Sequence, residues 1–272
     1  MTVINVSERE AAYVIDGLMH NDVIESDIHS TDTHGYSEMI FGVTHLLGIS
    51  FAPRIKDIKD QKLYSFESKS KLTELGYQLF PDGKINNRII INNWDDILRF
   101  VTTIKLKETE ASQLFRRLSS YSRQHPLYQA LKEFGKIPKS LFLLQCIDDV
   151  ILRQIIEKQM NKLENSNKFG KAVFYGNNQE FQQATKEEQI ISSNCRRLIE
   201  NAIICWNYLY LTQLILSAET SEQRQNLVNI IKNGSPVVWR HINLQGEYDF
   251  SEEKLKESIR FQLPELLKVQ VT

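Results

Sequence analysis

The chain has 272 residues, with Lys+Arg 33 against Asp+Glu 34, so no global field points to a nucleic-acid or membrane partner and charge has to be read region by region. Three cysteines, Cys146, Cys195 and Cys205, are odd in number and lack zinc-ligand spacing, which argues against a disulfide framework and predicts buried free thiols. The longest apolar run, "NAIICWNYLYLTQLILSA", is interrupted by Asn201, Asn207 and Gln213, a pattern for a buried helix and not a membrane span; with no leader pattern in "MTVINVSERE", the expectation is a cytoplasmic protein.

In chain order, "TVINV" (2–6) is a β-branched run that predicts a strand. Ser7 and Glu10 form a capping box ahead of a helix with Ala11, Val14, Ile15, Leu18 and Met19 on one face. Residues 23–31 read as extended. From Ser37 a second helix spaces Met39, Ile40, Val43, Leu46 and Leu47 at helical intervals, with Gly48 as its stop. "ISFAPRI" is a further short strand. Alternating strands and helices imply a parallel or mixed sheet. Asp32 then falls at the carboxyl end of a strand just before a helix, the edge where open α/β sheets bind ligands. An ordinary turn residue is the other reading of the same aspartate.

Residues 65–93 are polar, with Pro81-Asp82-Gly83-Lys84 as a turn and Ile89–Ile91 strand-like. From Trp94 to Lys139 the pattern is helical, broken at Pro126, after which a short helix is expected. Within it, residues 99–139 have nine Lys/Arg against three Glu, a surplus suited to contacting a phosphate backbone, and Tyr121 beside Arg123 adds a stacking surface. "SLFLLQCI" fits either a strand or a helix. A long helix over 149–170 has Leu152, Ile155, Ile156, Met160 and Leu163 as its core face, with Glu164 beside that stripe. A last helix spans about 190–218, where Trp206, Tyr208 and Tyr210 are expected in a core or interface. His45 is expected as a partly buried packing residue. His29, Asp32 and His34 have the side chains of a transition-metal cluster, but on a strand the first two face opposite sides.

Asp32 and Glu164 are two carboxylates on separate elements, 132 residues apart, of the kind that hold paired magnesium ions in phosphoryl transfer. Spacing alone does not single them out. The blocks "REAAYVIDGLMHND", "HSTDTHGYSEMIFGVTHLLGISFAPRIKDIKDQKLY", "SYSRQHPLYQALKEFGKIPKSLFLL", "NKLENSNKFGKAVFYGN", "NCRRLIENAIICWNYLYL" and "INLQGEYDFS" together resemble, in order, the C-terminal catalytic region of the Tn-three family of replicative transposases. The resemblance implies an α/β, helix-rich fold with an RNase H-like DDE core: 1–64 as its first part, 65–140 as a basic insert, 141–218 as the remainder and 219–272 as an extension. It also implies Asp32 in "TDTHG" as the second Asp and Glu164 in "NKLEN" as the Glu, holding Mg2+ or Mn2+. DNA is the implied partner, with a dimer in the complete enzyme and nucleoid association on DNA; from the residues themselves, Arg54 and Lys56 fit phosphate contact or a solvated loop face equally, and Arg116, Arg117 and Arg123 of the basic stretch fit backbone contact. The family's first Asp lies in an earlier Ser-Asp-Gly segment, for which Asp16, Asp22 and Asp27 are no substitutes. The expectation is therefore an incomplete core, weakly active or inactive alone. The alternative is an inactive remnant that only binds DNA or pairs with a full-length transposase.

Overall fold

The computed structural model describes residues 10–20, 28–32, 35–120, 125–174, 183–247, 249 and 251–253. The strand expected over 2–6, the Ser7 cap, Asp22, Asp27, His34, Tyr121 and Arg123 lie outside the described residues. Elements follow in the order α1 (Glu10–Met19), β1 (Ile28–His29), α2 (Glu38–Leu46), β2 (Ser50–Phe51), β3 (Tyr64–Ser65), α3 (Lys69–Glu74), β4 (Gly83–Lys84) and α4 (Asn87–Asn92). Then come α5 (Trp94–Lys105), α6 (Ala111–Ser120), α7 (Pro126–Asp148), α8 (Val150–Val173), α9 (Lys186–Leu216) and α10 (Ser221–Asn233). The described residues are thus helix-rich with a few very short strands. They form two compact units, one of the described residues up to 160 and one of those from 161 on, divided within α8.

In the first unit β1 pairs with β2 in parallel, Ile28 against Ser50 and His29 against Phe51, the direction that a strand–helix–strand order calls for. β3 and β4 form a second parallel pair, so Gly83 and Lys84, expected in a turn, sit in a ladder. Asp82 ties off its start, its carboxylate accepting from the Leu63 amide at 2.8 Å. α2 begins at Ser37, whose hydroxyl accepts from the Ile40 amide, and it ends before Gly48 at φ +80, a left-handed position that suits glycine.

α2 packs on α7, and the crossing is a backbone contact: a Cβ on Gly135 would lie 1.6 Å from the Glu38 carbonyl oxygen. Around it Met39, Ile40, Val43, Ile97, Phe100, Val101, Ile104, Phe115, Leu118 and Leu131 form the main core, with Ile15 of α1. A second cluster joins Phe41, Ala52, Phe142, Cys146, Ile156 and Met160. Asp16, on α1, holds the start of α6, its carboxylate accepting from the Ala111 and Ser112 amides at 2.5 and 3.1 Å, where a helix N-terminus favours an anion.

Several expectations are corrected here. Ile89–Ile91, strand-like by β-branching, lie in α4, which Asn86 caps by accepting from the Ile89 amide. The short helix after Pro126 is instead 23 residues long, with Pro126 in its first turn and Pro138 inside, and it absorbs "SLFLLQCI". A proline in a helix interior forfeits a backbone hydrogen bond; here the flanking residues Ala130, Leu131, Phe142 and Leu143 are all buried, and that burial offsets the loss. On α8, Ile156 and Met160 are buried but Ile155 and Leu163 are exposed. His45 is exposed, with its ring 6.3 Å from that of Phe134. Cys146 is buried, whereas Cys195 and Cys205 are exposed, because the helix that carries them turns that face outward. α10 had no counterpart among the expectations; its capping box of Thr220 and Gln223 was the sequence signal for it.

Candidate functional site

The parallel ladder continues past the strands themselves. The Ala52 amide donates to the His29 carbonyl at 2.8 Å, and the Arg54 amide donates to the Thr31 carbonyl at 2.9 Å. This places Asp32 just beyond the carboxyl end of β1, with Arg54 on the adjoining chain. The Asp32 carbonyl accepts from the Gly35 amide at 2.9 Å, shortly before the Ser37 cap. The Asp32 side chain is half exposed, and its Oδ1 accepts from Arg54 Nη2 at 3.3 Å. The other terminal nitrogen of Arg54, Nη1, stands 3.7 Å from Glu157 Oε1 on α8. One guanidinium therefore spans two carboxylates. With both acids more than half exposed, each pair is worth about 1 kcal/mol or less.

His29 stacks on Phe51 with centroids 6.1 Å apart, and burial holds its imidazole below the usual range, favouring the neutral ring. Among the described residues no group of three or more His, Cys, Asp or Glu is placed to hold a metal. Asp32 offers one accessible oxygen donor just past a strand end, the donor type that hard divalent ions take, while the guanidinium beside it opposes a second cation.

Glu164 belongs to the second unit and is half-buried on α8. The helix there is fixed by its own neighbours. Phe169 is fully buried and stacks on Trp239 with centroids 5.0 Å apart and an interplanar angle of 10°. Gly170 faces the buried Glu200, which Arg196 pairs at 3.1 Å. The segment 235–241, for which the sequence suggested no role, is docked on α9 by Asn207, whose amide nitrogen donates to the Pro236 and Val238 carbonyls at 2.8 Å each. Trp206, Tyr208 and Tyr210 are exposed and so form no core within this unit; Trp206 stacks on Tyr210 at 5.3 Å and on His241 at 5.6 Å.

Of the basic residues singled out, Lys56, Arg116 and Arg117 are exposed, and Arg116 donates to the Tyr13 hydroxyl at 2.8 Å. The basic stretch is not uniformly a surface. Lys139 is buried and pairs with Glu38 at 2.9 Å, and Lys136 pairs with Glu133 and lies over the Tyr64 ring. Sequence reading missed Glu157 and the anchoring roles of Asp16 and Asn207. For Glu157 the available signal was its spacing of seven from Glu164, close to two helical turns. For Asp16 and Asn207 the signal was a polar side chain on an otherwise apolar helix.

The family model for the Tn3 transposase DDE domain matches residues 1–248. The transposase for transposon Tn1546 of Enterococcus faecium is 38% identical over 255 residues, 93% of this chain and 25% of that protein. The transposase for transposon Tn501 of Pseudomonas aeruginosa is 35% identical over 269 residues, covering 95% and 26%. That for transposon gamma-delta of Escherichia coli K12 is 31% identical over 259 residues, covering 93% and 25%. The chain spans about a quarter of the length of these relatives, and it belongs to the Tn3 transposase DDE domain family.

Proposed function

We propose that this chain supplies part of the phosphoryl-transfer centre of a DNA transposase, with Asp32 and Glu164 as the carboxylates that hold divalent magnesium, or manganese in its place. The observation that carries the reading is the setting of Asp32: an accessible carboxylate just past the carboxyl end of a parallel strand and shortly ahead of a capped helix. The β1–β2 pair with α1 and α2 is read as part of an RNase H-like core. When bound, the ions supply charge neutralisation at the attacking and leaving oxygens. Asp32 follows directly on the last bond of the β1–β2 ladder, and Glu164 is carried by a long helix. Lys56, Arg116 and Arg117 serve as phosphate contacts that set the register of DNA without reading bases. Strand cleavage at the element's ends and attack of the liberated 3′ hydroxyl on target DNA are the reactions assigned, with two ends joined by a dimer.

The test is transposition of a marked element whose gene carries Asp32→Asn or Glu164→Gln. Each is expected to lower the frequency by about a thousandfold or more, the scale on which loss of a residue from a catalytic unit is felt. Transposition at the unmutated frequency by either variant sinks the assignment of that residue.

A further inference from the structure

We infer that the cleft where the start of α2 and β3 meet α7 is a binding site for a single nucleotide, its phosphate facing Lys132 and its base lying against Tyr128 within reach of the Glu38 carboxylate. The choice of a DNA nucleotide rests on the reading of the chain as part of a transposase. The cleft has a volume of about 630 Å3 and is lined by residues of the first unit alone, a size within the range of small-molecule sites. Its charge comes from one face of α7. Lys132, Lys136 and Lys139 recur at spacings of four and three, which brings them to one side of a helix. Two of them are committed. Lys139 pairs with Glu38 at 2.9 Å, and Lys136 pairs with Glu133, whose other oxygen accepts from the Asn86 amide at 3.0 Å. Lys132 is exposed and, among the described residues, makes no ion pair. Three ammonium groups against two carboxylates leave one positive charge over, and it is carried by the lysine that remains accessible.

The lining suits more than a bare anion. Burial works to raise the Glu38 carboxyl, but the Lys139 hydrogen bond and charge, helped by the Lys132 charge, hold it below its ordinary 4.5. An ionised carboxylate has about four acceptor sites, so the bond to Lys139 leaves Glu38 able to accept from the amino group of cytosine, adenine or guanine. Gln129, on the same wall, offers both an amide donor and an acceptor. The Tyr64 ring is already covered, with the Lys136 ammonium 4.7 Å from its centroid and Gly83 so close that an added Cβ would lie 3.1 Å from the ring. Stacking therefore falls to Tyr128, which is half-buried. Ser37, which also lines the cleft, is five residues past Asp32, a length of chain that spans at most about 18 Å. A nucleotide held here is within a few nucleotides of Asp32 along a strand.

Ligand-observed nuclear magnetic resonance of the 272-residue chain with dCMP, dTMP, deoxycytidine and inorganic phosphate tests the site. dCMP is expected to bind about tenfold more tightly than dTMP, which lacks the exocyclic amino group, and more tightly than deoxycytidine or inorganic phosphate. Lys132→Gln is expected to weaken dCMP by about fivefold, the factor that an exposed charge contact is worth, and to leave deoxycytidine unchanged. Tyr128→Leu is expected to weaken both by about tenfold, with circular dichroism confirming that the fold is kept. A duplex carrying one unpaired dC is expected to compete with dCMP; dCMP binding without that competition overturns a strand as the source and assigns the site to a free nucleotide. Inorganic phosphate bound as tightly as dCMP overturns the contacts to the base. An absence of dCMP binding to the unmutated chain, or an affinity unmoved by Lys132→Gln, overturns the site itself. Each of these readouts is of binding, so a failure here is distinct from failure of the transposition test on Asp32 and Glu164.

Discussion

In residues 4–160 the apolar positions spaced at helical intervals are largely those that become buried: Ile15, Val43, Ile97, Val101, Leu118 and Leu131 are all less than a tenth exposed. In residues 161–272 the same kind of spacing leads outward. Leu198, Ile191 and Tyr208 are 72%, 57% and 58% exposed, while the residues taken out of water include Ser193, Glu200 and Asn207, with Phe169. The contrast shows that hydrophobic periodicity forecasts a helix more securely than it forecasts which face of that helix is covered. α9 and α10 are secured at their starts by complete capping boxes, Thr185 with Glu188 and Thr220 with Gln223, which satisfy orphan amides whatever the helix later packs against. In the second unit the buried Asn207 holds the 235–241 segment by two hydrogen bonds and the buried Glu200 is ion-paired with Arg196, contacts whose geometry is more exacting than that of apolar packing.

The largest expected effect tests the close packing of the first unit. Gly135→Ala forces α2 and α7 apart against the Glu38 carbonyl, and urea denaturation should show a loss of about 3 kcal/mol, the upper end for overpacking. Gly17→Ala, in α1 with nothing within 4 Å of the added carbon, should gain about 0.5–1 kcal/mol. Equal effects at the two glycines would mean that the α2–α7 crossing is not tightly seated.

Asn207→Ala tests the polar clamp of the second unit. It leaves the Pro236 and Val238 carbonyls without their donor, at a cost of about 1–3 kcal/mol. Because Trp239 lies on the same segment and stacks on Phe169, its fluorescence should shift and protease should cut near 235–241. Resistance to cleavage equal to that of the unmutated chain would assign the docking to stacking alone.

A smaller effect comes from pH, through two groups in the first unit. Burial holds His29 below its ordinary 6.5, so the unfolded chain takes up that proton first. The associated stability is present above pH 6.5 and is lost as pH falls below it. Burial alone would raise Glu38, but the Lys139 hydrogen bond and charge outweigh it and hold the carboxyl below its ordinary 4.5. Its contribution is present above pH 4.5 and is lost as pH falls further. Urea midpoints measured from pH 7.5 to 3.5 should therefore fall in two stages, and His29→Gln should remove the first. A single acid limb in the unmutated chain would contradict the role given to His29.

The thiols distinguish the units without altering stability. Burial pushes the Cys146 thiol up to about 11, leaving it protonated and enclosed at neutral pH, whereas Cys195 and Cys205 are exposed. Alkylation of the native chain at pH 7.5 should modify the latter two and spare Cys146 until denaturant is added. Early labelling of Cys146, read by peptide mass, would mean that the second core cluster opens more readily than its packing implies.

What could be read from the sequence were the features governed by neighbours in the chain. The helix that starts at Ser37 and stops at Gly48, the parallel sense of β1 and β2, the long helix bearing Glu164, and the position of Asp32 at a strand end all follow from caps, periodicity and element order. Their causes lie within a few residues or in rules of chain connection. Tertiary structure alone decided the pairings across the chain. Arg54 meets Asp32 over 22 positions, Lys139 meets Glu38 over 101, and Asp16 reaches the start of α6 over 95. It also decided that α7 runs unbroken through Pro138, since its burial against α2 and its neighbours outweighs a local preference to stop. An ion pair or a close helix crossing depends on where two distant segments come to rest, and neither segment records that in its own pattern.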